Sequence, residues 1–286
     1  MSTTTSVAPV IETTSSLTPG KAKECDLKLV VSDAQIASAI YHLPSQTFFQ
    51  IISPAFAGKT DEKTIGTRFI DLIKKNPILE YDYNSVNVAF LSQDVTLVPN
   101  ILFDSAHKDD YIKLIEPPTE RKLIIASSKE GNEFTTVFSE EEKLVHTVKV
   151  KFPNCTLSHS ATYLIDRLQK DYANDGVERV FAYVLPDKLQ LIIIGKNKPV
   201  FYNIFSYTTP EDFIYYILLV YKKLGFDPEK TQLIFLGEIL SQSKLFELTL
   251  KYIRNIAFGK RQTSVNYSEE LKQLPPHFYY SLFSMV

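Results

Sequence analysis

Three turns of the predicted strand pattern carry side chains that could bind a nucleotide phosphate or its metal ion. Asp33 and Asp187 each stand in a short turn between two β-prone runs, Lys188 follows the second of these turns, and a Gly237-Glu238 pair ends a later apolar run. A carboxylate can hold Mg²⁺ through water, and a glycine lets backbone amides approach a phosphate closely. These five residues are therefore the predicted cofactor-binding set. Two ordinary aspartate-containing β-turns explain the hairpins equally well.

The segment of residues 53–60 ends like a phosphate-binding P-loop. It closes with Gly58-Lys59-Thr60 and stands between a predicted strand and a predicted helix. Ser53, however, replaces the first glycine of that motif, and Pro54 has no N–H to offer a phosphate. The preceding β-meander is also the wrong context, so the sequence favours a surface loop here.

Two further patterns could carry chemistry but have simpler explanations. Ser241 and Lys244 have the S-x-x-K spacing of a serine acyl-enzyme, yet the companion S-D-N and K-T-G signatures are missing from the chain. A serine that caps a helix explains this spacing better. The glutamate run 140–142 fits the first turn of a helix predicted over 139–149, where negative charge is favourable. We therefore predict no catalytic residues from either pattern.

A small basic and aromatic group could bind RNA by charge and stacking. Arg254, Lys260 and Arg261 lie close in sequence to Tyr252 and Phe258. Three positive charges in a chain of net charge −2 are a small electrostatic footprint, so a solvated turn is favoured and nucleic acid is not the expected partner.

Composition excludes several classes of protein. The two cysteines form no C-x-x-C pair, which favours a reducing, cytoplasmic compartment over a disulfide framework. The five histidines have no metal-ligand spacing, so no metal site is predicted. No apolar run approaches the roughly 18–20 residues that span a bilayer, so we expect a soluble protein. The nine glycines leave little material for phosphate-binding loops.

The elements that must position these residues follow one order twice. After a Ser/Thr-rich stretch, predicted as a flexible tail within residues 1–24, three β-prone runs (27–31, 36–41 and 47–52) precede a predicted helix over 61–75 and a strand at 86–90. The second copy has strands at 180–185, 189–194 and 200–205, a helix from Pro210 to Leu224 and a strand at 233–236. Thr209 is its predicted N-cap and Gly225 its C′ residue.

This repeated βββαβ order, at a spacing of about 150 residues, predicts an α/β (α+β) protein of two duplicated lobes. We place the lobes at 25–172 and 173–286. Such a layout is typical of a ribonuclease H-like, actin-like fold, in which ATP would lie in a cleft between the lobes. The intervening segment predicts helices at 107–115, 139–149 and 158–171 and strands at 122–127 and 134–138.

Three stretches carry a resemblance to a known family. Residues 96–104, 205–216 with the following Leu236-Gly237-Glu238, and 251–261 are similar to runs typical of a bacterial family of proteins of unknown function. The resemblance covers the chain from about residue 25 to its C-terminus. It implies an actin-like fold, distantly similar to the pilus assembly protein PilM and the division protein FtsA. It supplies no established activity and no catalytic residues.

The leading functional hypothesis is a non-catalytic, actin-like scaffold or protein-binding module with no cofactor, because the hairpin turns at Asp33 and Asp187 lack glycine. The alternative is an ATP-binding enzyme, an ATPase or a small-molecule kinase, in which Asp33 and Asp187 surround magnesium. RNA binding is the third possibility. The sequence leaves the partner protein and the oligomeric state open.

Overall fold

The computed structural model describes residues 17–33, 35–54, 64–115, 121–172, 176–196 and 198–286. The chain forms two compact units. The N-terminal unit contains the described residues from 17 to 164 together with Thr263–Leu274 and Ser281–Val286. The C-terminal unit contains Ile165–Gln262 and Pro275–Tyr280.

The described residues alternate between strands and helices along the whole chain. The strands are β1 (Cys25–Val31), β2 (Ile36–His42), β3 (Thr47–Ile52), β4 (Ser85–Phe90), β5 (Val95–Pro99), β6 (Lys122–Ser127), β7 (Phe134–Glu141), β8 (Thr156–His159), β9 (Arg179–Val184), β10 (Lys188–Gly195), β11 (Lys198–Ser206), β12 (Gln232–Gly237), β13 (Ile256–Phe258) and β14 (Asn266–Tyr267). The α-helices are α1 (Pro19–Ala22), α2 (Ile65–Lys75), α3 (Lys108–Lys113), α4 (Glu142–Lys151), α5 (Ser160–Asp171), α6 (Pro210–Leu224), α7 (Lys244–Leu250), α8 (Glu269–Lys272) and α9 (Tyr280–Phe283). The predicted mixed α/β class is confirmed.

The main sheet of the N-terminal unit has the order β14-β3-β2-β1-β4-β8. Successive side chains of a strand point to opposite faces, so Leu27, Leu29 and Val31 of β1 share one face. These residues are fully or almost fully buried in a core that also contains Phe69 of α2 and Val148 of α4. The two helices therefore cover this face of the sheet.

The sheet of the C-terminal unit has the order β11-β10-β9-β12-β13. Val180, Ala182 and Val184 of β9 point to one face and are fully buried. They pack in a core with Phe213 and Ile217 of α6. This apolar helix is buried, as its sequence predicts.

The two units repeat one topology, which confirms the predicted βββαβ order. β1 pairs antiparallel with β2 and parallel with β4, and β9 pairs in the same way with β10 and β12. The helix after the third strand is α2 in one unit and α6 in the other. β8 and β13 then extend each sheet in parallel beside β4 and β12.

The ends of α6 confirm the predicted capping residues. Thr209 Oγ1 accepts a hydrogen bond from the Asp212 amide at 3.1 Å, and Asp212 Oδ2 accepts one from the Thr209 amide at 2.9 Å. This reciprocal pair is a capping box, and Pro210 occupies the first turn. Gly225 ends the helix with φ of 73°, a left-handed conformation that suits glycine.

A separate three-stranded sheet, with the order β5-β7-β6, lies between β4 and β8 in the chain. In this part of the chain the sequence does not predict β5 or β8, and two predicted helices begin later than expected. The helix predicted over 158–171 is present but begins at Ser160. The helix predicted over 139–149 begins at Glu142, because Glu140 and Glu141 still pair with β6 and extend β7.

Parts of three sequence predictions fall outside the described residues, and one of these parts is residues 61–63 of the helix predicted over 61–75. Residues 1–16 of the predicted tail lie there, whereas Pro19–Ala22 form a helical turn with Ala22 fully buried. Residues 55–60 of the P-loop-like segment also lie there, while Ser53 is buried and its Oγ accepts a hydrogen bond from Gln35 Nε2 at 3.1 Å. Among the helices in the described part of the chain, none is long and apolar enough to cross a membrane.

Candidate functional site

Four of the five predicted cofactor-binding residues meet at one end of the C-terminal sheet. Asp187 lies in the turn from β9 to β10 and Lys188 begins β10, while Gly237 pairs with Val184 at the last step of the parallel ladder between β12 and β9. Parallel neighbours end at the same edge of a sheet, so Glu238 follows beside that turn. Lys188 and Glu238 are both buried.

Tyr207 makes two hydrogen bonds to the backbone of this turn. Its hydroxyl donates to the Leu185 carbonyl at 2.5 Å, and its amide donates to the Asp187 carbonyl at 3.0 Å. Burial raises the pKa of Tyr207, and the carboxylates of Asp187 and Glu238 raise it further. The phenol therefore stays neutral and acts as a structural donor.

The backbone amides at this turn are already used within the protein. The Gly237 amide donates to the His277 carbonyl at 2.8 Å, and the Glu238 amide donates to the Val184 carbonyl at 2.7 Å. The Leu185 amide donates to the Lys188 carbonyl at 2.9 Å. A phosphate site needs amides that point at the ligand, and these three do not.

Gly237 is explained by the packing of β12 against β9. Its φ is 78°, and a Cβ atom at this position would lie 2.3 Å from the Val184 carbonyl oxygen. Both facts demand glycine whether or not a ligand binds. The glycine of the Gly237-Glu238 pair is thus explained by the close approach of two strands.

Asp33, the fifth predicted residue, lies in the N-terminal unit in the turn from β1 to β2. The Ser32 amide donates to the Gln35 carbonyl at 2.8 Å, and the Gln35 amide donates to Ser32 Oγ at 2.9 Å. The Asp33 carbonyl accepts from Arg68 Nη1 at 3.2 Å. The Ser32 side chain thus closes this turn by accepting a hydrogen bond from the Gln35 amide.

A half-buried carboxyl group that the sequence did not single out, that of Glu140 near the end of β7, also lies close to Asp33. Ser92 Oγ donates to Glu140 Oε2 at 2.6 Å, and the Glu141 amide donates to Glu140 Oε1 at 2.9 Å. Burial raises the pKa of Glu140, and the charge of Asp33 contributes in the same direction. The only signal in the sequence is the run of three glutamates, which fits a helix start equally well.

His159 hydrogen-bonds to the segment after β4 that contains Ser92. Nδ1 accepts a hydrogen bond from the Ala161 amide at 3.1 Å, so the proton is on Nε2, which donates to the Ser92 carbonyl at 3.0 Å. Burial lowers the pKa of His159 to about 4. The imidazole is a neutral structural link between β8 and the segment after β4.

The described residues contain no group of three or more His, Cys, Asp or Glu side chains that could hold a metal ion. Cys25 and Cys155 are buried free thiols, and burial raises the pKa of Cys25 to about 11. A thiol that resists ionisation is a poor nucleophile, so both cysteines act as small core residues.

In the basic and aromatic group Tyr252 is 50% exposed, whereas the ring of Phe258 is packed against other rings. Phe258 stacks on Phe246 with ring centroids 5.2 Å apart and also lies 4.5 Å from the ring of His277. Its faces are therefore covered by the C-terminal unit. Arg254 lies within 4.0 Å of Glu229, which offsets its charge.

The small three-stranded sheet exposes a group of aliphatic side chains that we call the apolar patch: Ile101 is 93% exposed, Leu102 67%, Leu114 86% and Ile115 48%. Residues 101 and 102 follow β5, and residues 114 and 115 follow α3. Tyr111 connects the two pairs, because its hydroxyl donates to the Leu102 carbonyl at 2.7 Å. Leu114 and Ile115 stand three and four positions after Tyr111, directly after the end of α3.

The sequence profile of a family described as "Protein of unknown function (DUF3822)" matches residues 14–256. The chain belongs to the DUF3822 family. This confirms the resemblance to a family of unknown function. No curated protein sequence matches this DUF3822 protein.

Two solved structures are similar to this DUF3822 protein. One is a Bacteroides thetaiotaomicron VPI-5482 protein with an actin-like ATPase fold and unknown function, 19% identical, with a TM-score of 0.74 over 88% of this chain and 96% of that chain. The other is in the PilM-PilN type IV pilus biogenesis complex, 14% identical, with a TM-score of 0.56 over 90% of this chain and 96% of that chain. The fold is therefore actin-like, as predicted.

Proposed function

We propose that this DUF3822 protein is a non-catalytic, actin-like protein-binding module of the cytoplasm. The apolar patch carries this proposal. The largest apolar patch on a typical monomer covers about 300–600 Å² and is often a functional site. Leu114 and Ile101, with 86% and 93% of their surface exposed, contribute nothing to the core in return.

The apolar patch can contribute part of the binding energy of a partner. Full burial of one Leu or Ile side chain is worth about 1.5–3 kcal/mol. The four exposed fractions correspond to about three such side chains, so a partner that covers the patch gains roughly 4–9 kcal/mol before the costs of association. A micromolar Kd needs a net gain of about 8 kcal/mol, so a partner with that affinity must also make contacts beyond the patch.

The hydrogen bonds of the three predicted nucleotide turns favour this proposal over the ATP-binding alternative. The amides of Ser32, Gly237 and Glu238 donate to groups of the protein itself. A phosphate would have to displace these bonds, each worth about 0.5–1.5 kcal/mol, and to break the close pairing of Gly237 with Val184.

Two other observations support the proposal. One of the similar structures holds PilM together with PilN, so a related fold is found in a protein complex. The buried free thiols of Cys25 and Cys155 fit a reducing compartment such as the cytoplasm.

The test measures protein binding and nucleotide binding side by side. Proteins captured by the wild-type chain are purified, and their Kd values are compared for wild type, Leu114→Ser and the control Val150→Ser. Val150 is also exposed (67%) and lies in α4, an element that carries none of the patch residues. We expect about tenfold weaker binding for Leu114→Ser and no change for the control.

Calorimetry with Mg-ATP is the companion measurement. We expect no binding heat. Micromolar binding that disappears in Asp187→Ala would establish the ATP-binding alternative and refute the proposal.

A further inference from the structure

We infer that the occupant of the apolar patch is a short amphipathic helix of a partner protein. This inference rests on the proposed function and adds the chemistry of the partner. Three properties of the patch lead to it: its area, the state of its backbone groups, and the pairing of the charges around it.

The area fits a short segment better than a folded protein or a second copy of this chain. The exposed parts of the four side chains amount to roughly 200–350 Å² of apolar surface. A stable interface between two folded proteins buries about 800 Å² on each side. Two or three turns of a helix, by contrast, present three or four apolar side chains, which matches the patch.

Four backbone groups of the patch are already hydrogen-bonded within the protein. The Leu102 amide donates to the Pro99 carbonyl at 2.8 Å, and the Phe103 amide donates to the Asn100 carbonyl at 3.3 Å. The Asp104 amide donates to Tyr111 Oη at 3.0 Å, and the Leu102 carbonyl is used by the same hydroxyl. A peptide that adds a strand needs free main-chain groups. A helix satisfies its own backbone and needs only side-chain contacts.

Two ion pairs lie among the described residues beside the patch. Asp104 Oδ2 lies 2.8 Å from His107 Nδ1, and Lys113 Nζ donates to Asp110 Oδ1 at 2.7 Å. These exposed pairs offer no unbalanced charge of either sign to a partner. Binding should therefore depend on apolar contacts and vary little with salt.

The experiment selects peptides from a displayed library of random 16-residue sequences on the wild-type protein, with depletion on Leu114→Ser. Enriched peptides are then measured by fluorescence anisotropy. We expect apolar residues at helical spacing, Kd values about tenfold weaker for Leu114→Ser, and no change for Val150→Ser. Between 50 and 500 mM NaCl the Kd should change by less than about twofold. Circular dichroism should show helix formed on binding.

Four results would overturn the inference. The first is a library that yields no enriched peptide, and the second is a set of enriched peptides without apolar residues at helical spacing. The third is equal binding of the peptides to Leu114→Ser and wild type. The fourth is a wild-type dimer in sedimentation that Leu114→Ser abolishes, because a second copy would then be the occupant. The proposed function fails separately. A captured full-length partner that binds Leu114→Ser normally refutes only the site, whereas Asp187-dependent Mg-ATP binding refutes the function.

Discussion

Replacing Gly237 by alanine tests the close approach of β12 and β9 most directly. The new Cβ atom would lie 2.3 Å from the Val184 carbonyl oxygen and 3.1 Å from the Val184 nitrogen, both of which are backbone atoms. Neither can move aside as a flexible side chain would. The strand must shift, and the 2.7 Å hydrogen bond from the Glu238 amide to the Val184 carbonyl must lengthen.

The expected loss of stability combines a conformational cost, an overpacking cost and the cost of a weakened hydrogen bond. A left-handed φ costs an L-residue about 1–2 kcal/mol, and part of this is offset because alanine restricts the unfolded chain by about 0.4–1 kcal/mol. Overpacking adds about 1–3 kcal/mol, and the weakened hydrogen bond adds about 0.5–1.5 kcal/mol. We therefore expect Gly237→Ala to lower the free energy of unfolding by about 3–5 kcal/mol.

Gly225→Ala is the matched control in the same unit. Its φ is 73°, close to the 78° of Gly237, but no atom lies within 4 Å of the new Cβ position. Only the conformational cost remains, so we expect a loss of about 1 kcal/mol. Urea denaturation followed by circular dichroism at 222 nm measures both variants. A difference of less than about 1 kcal/mol between them would show that the close approach does not constrain this site.

Three further outcomes are expected from the same structure. Thr209→Ala removes the capping box of α6 and should cost about 1 kcal/mol in urea denaturation, and an unchanged midpoint would contradict the cap. The pKa of His159 is lowered to about 4, so between pH 6.5 and about 4 the unfolded chain binds a proton that the native chain excludes. Wild type should therefore lose about 3 kcal/mol more than His159→Gln as the pH falls through that interval, and equal slopes would refute the buried neutral imidazole. Leu114→Ser should change the free energy of unfolding by less than about 0.5 kcal/mol because the side chain is 86% exposed. Ile112→Ser in α3, where the side chain is 4% exposed, should cost about 2–5 kcal/mol. Similar losses for the two variants would mean that the patch is part of the core.

The sequence predicts the C-terminal unit well because its signals are local. Pro210 and Gly225 mark the ends of α6, and apolar runs separated by turn residues mark its strands. The short strands of the N-terminal unit lack such signals. β8 has four residues with no alternation, and its strand conformation follows from pairing with β4, 69 positions earlier in the chain. β14 likewise depends on its pairing with β3.

The position of the candidate site could be predicted from the sequence, but the hydrogen bonding and burial of its groups could not. Asp187 and Glu238 meet because parallel strands end together, which the strand pattern already implies. The use of the Gly237 amide by the His277 carbonyl involves a residue 40 positions away and leaves no local signal. The burial of Glu140 depends on Ser92 in the same way. Whether the five predicted residues hold a cofactor stays a prediction.

The three-stranded sheet between β4 and β8 has a consequence for the order of folding. Asn87 and Thr156, paired between β4 and β8, are 69 positions apart, whereas Leu233 and Ile256, paired between β12 and β13, are 23 apart. Closing a loop three times as long costs about 1 kcal/mol more in chain entropy. β6 and β7 form a hairpin of their own, which shortens this loop if it forms first. If the insertion that carries the apolar patch folds first, it lowers the entropy cost of completing the N-terminal sheet, and the patch then forms before β4 and β8 pair.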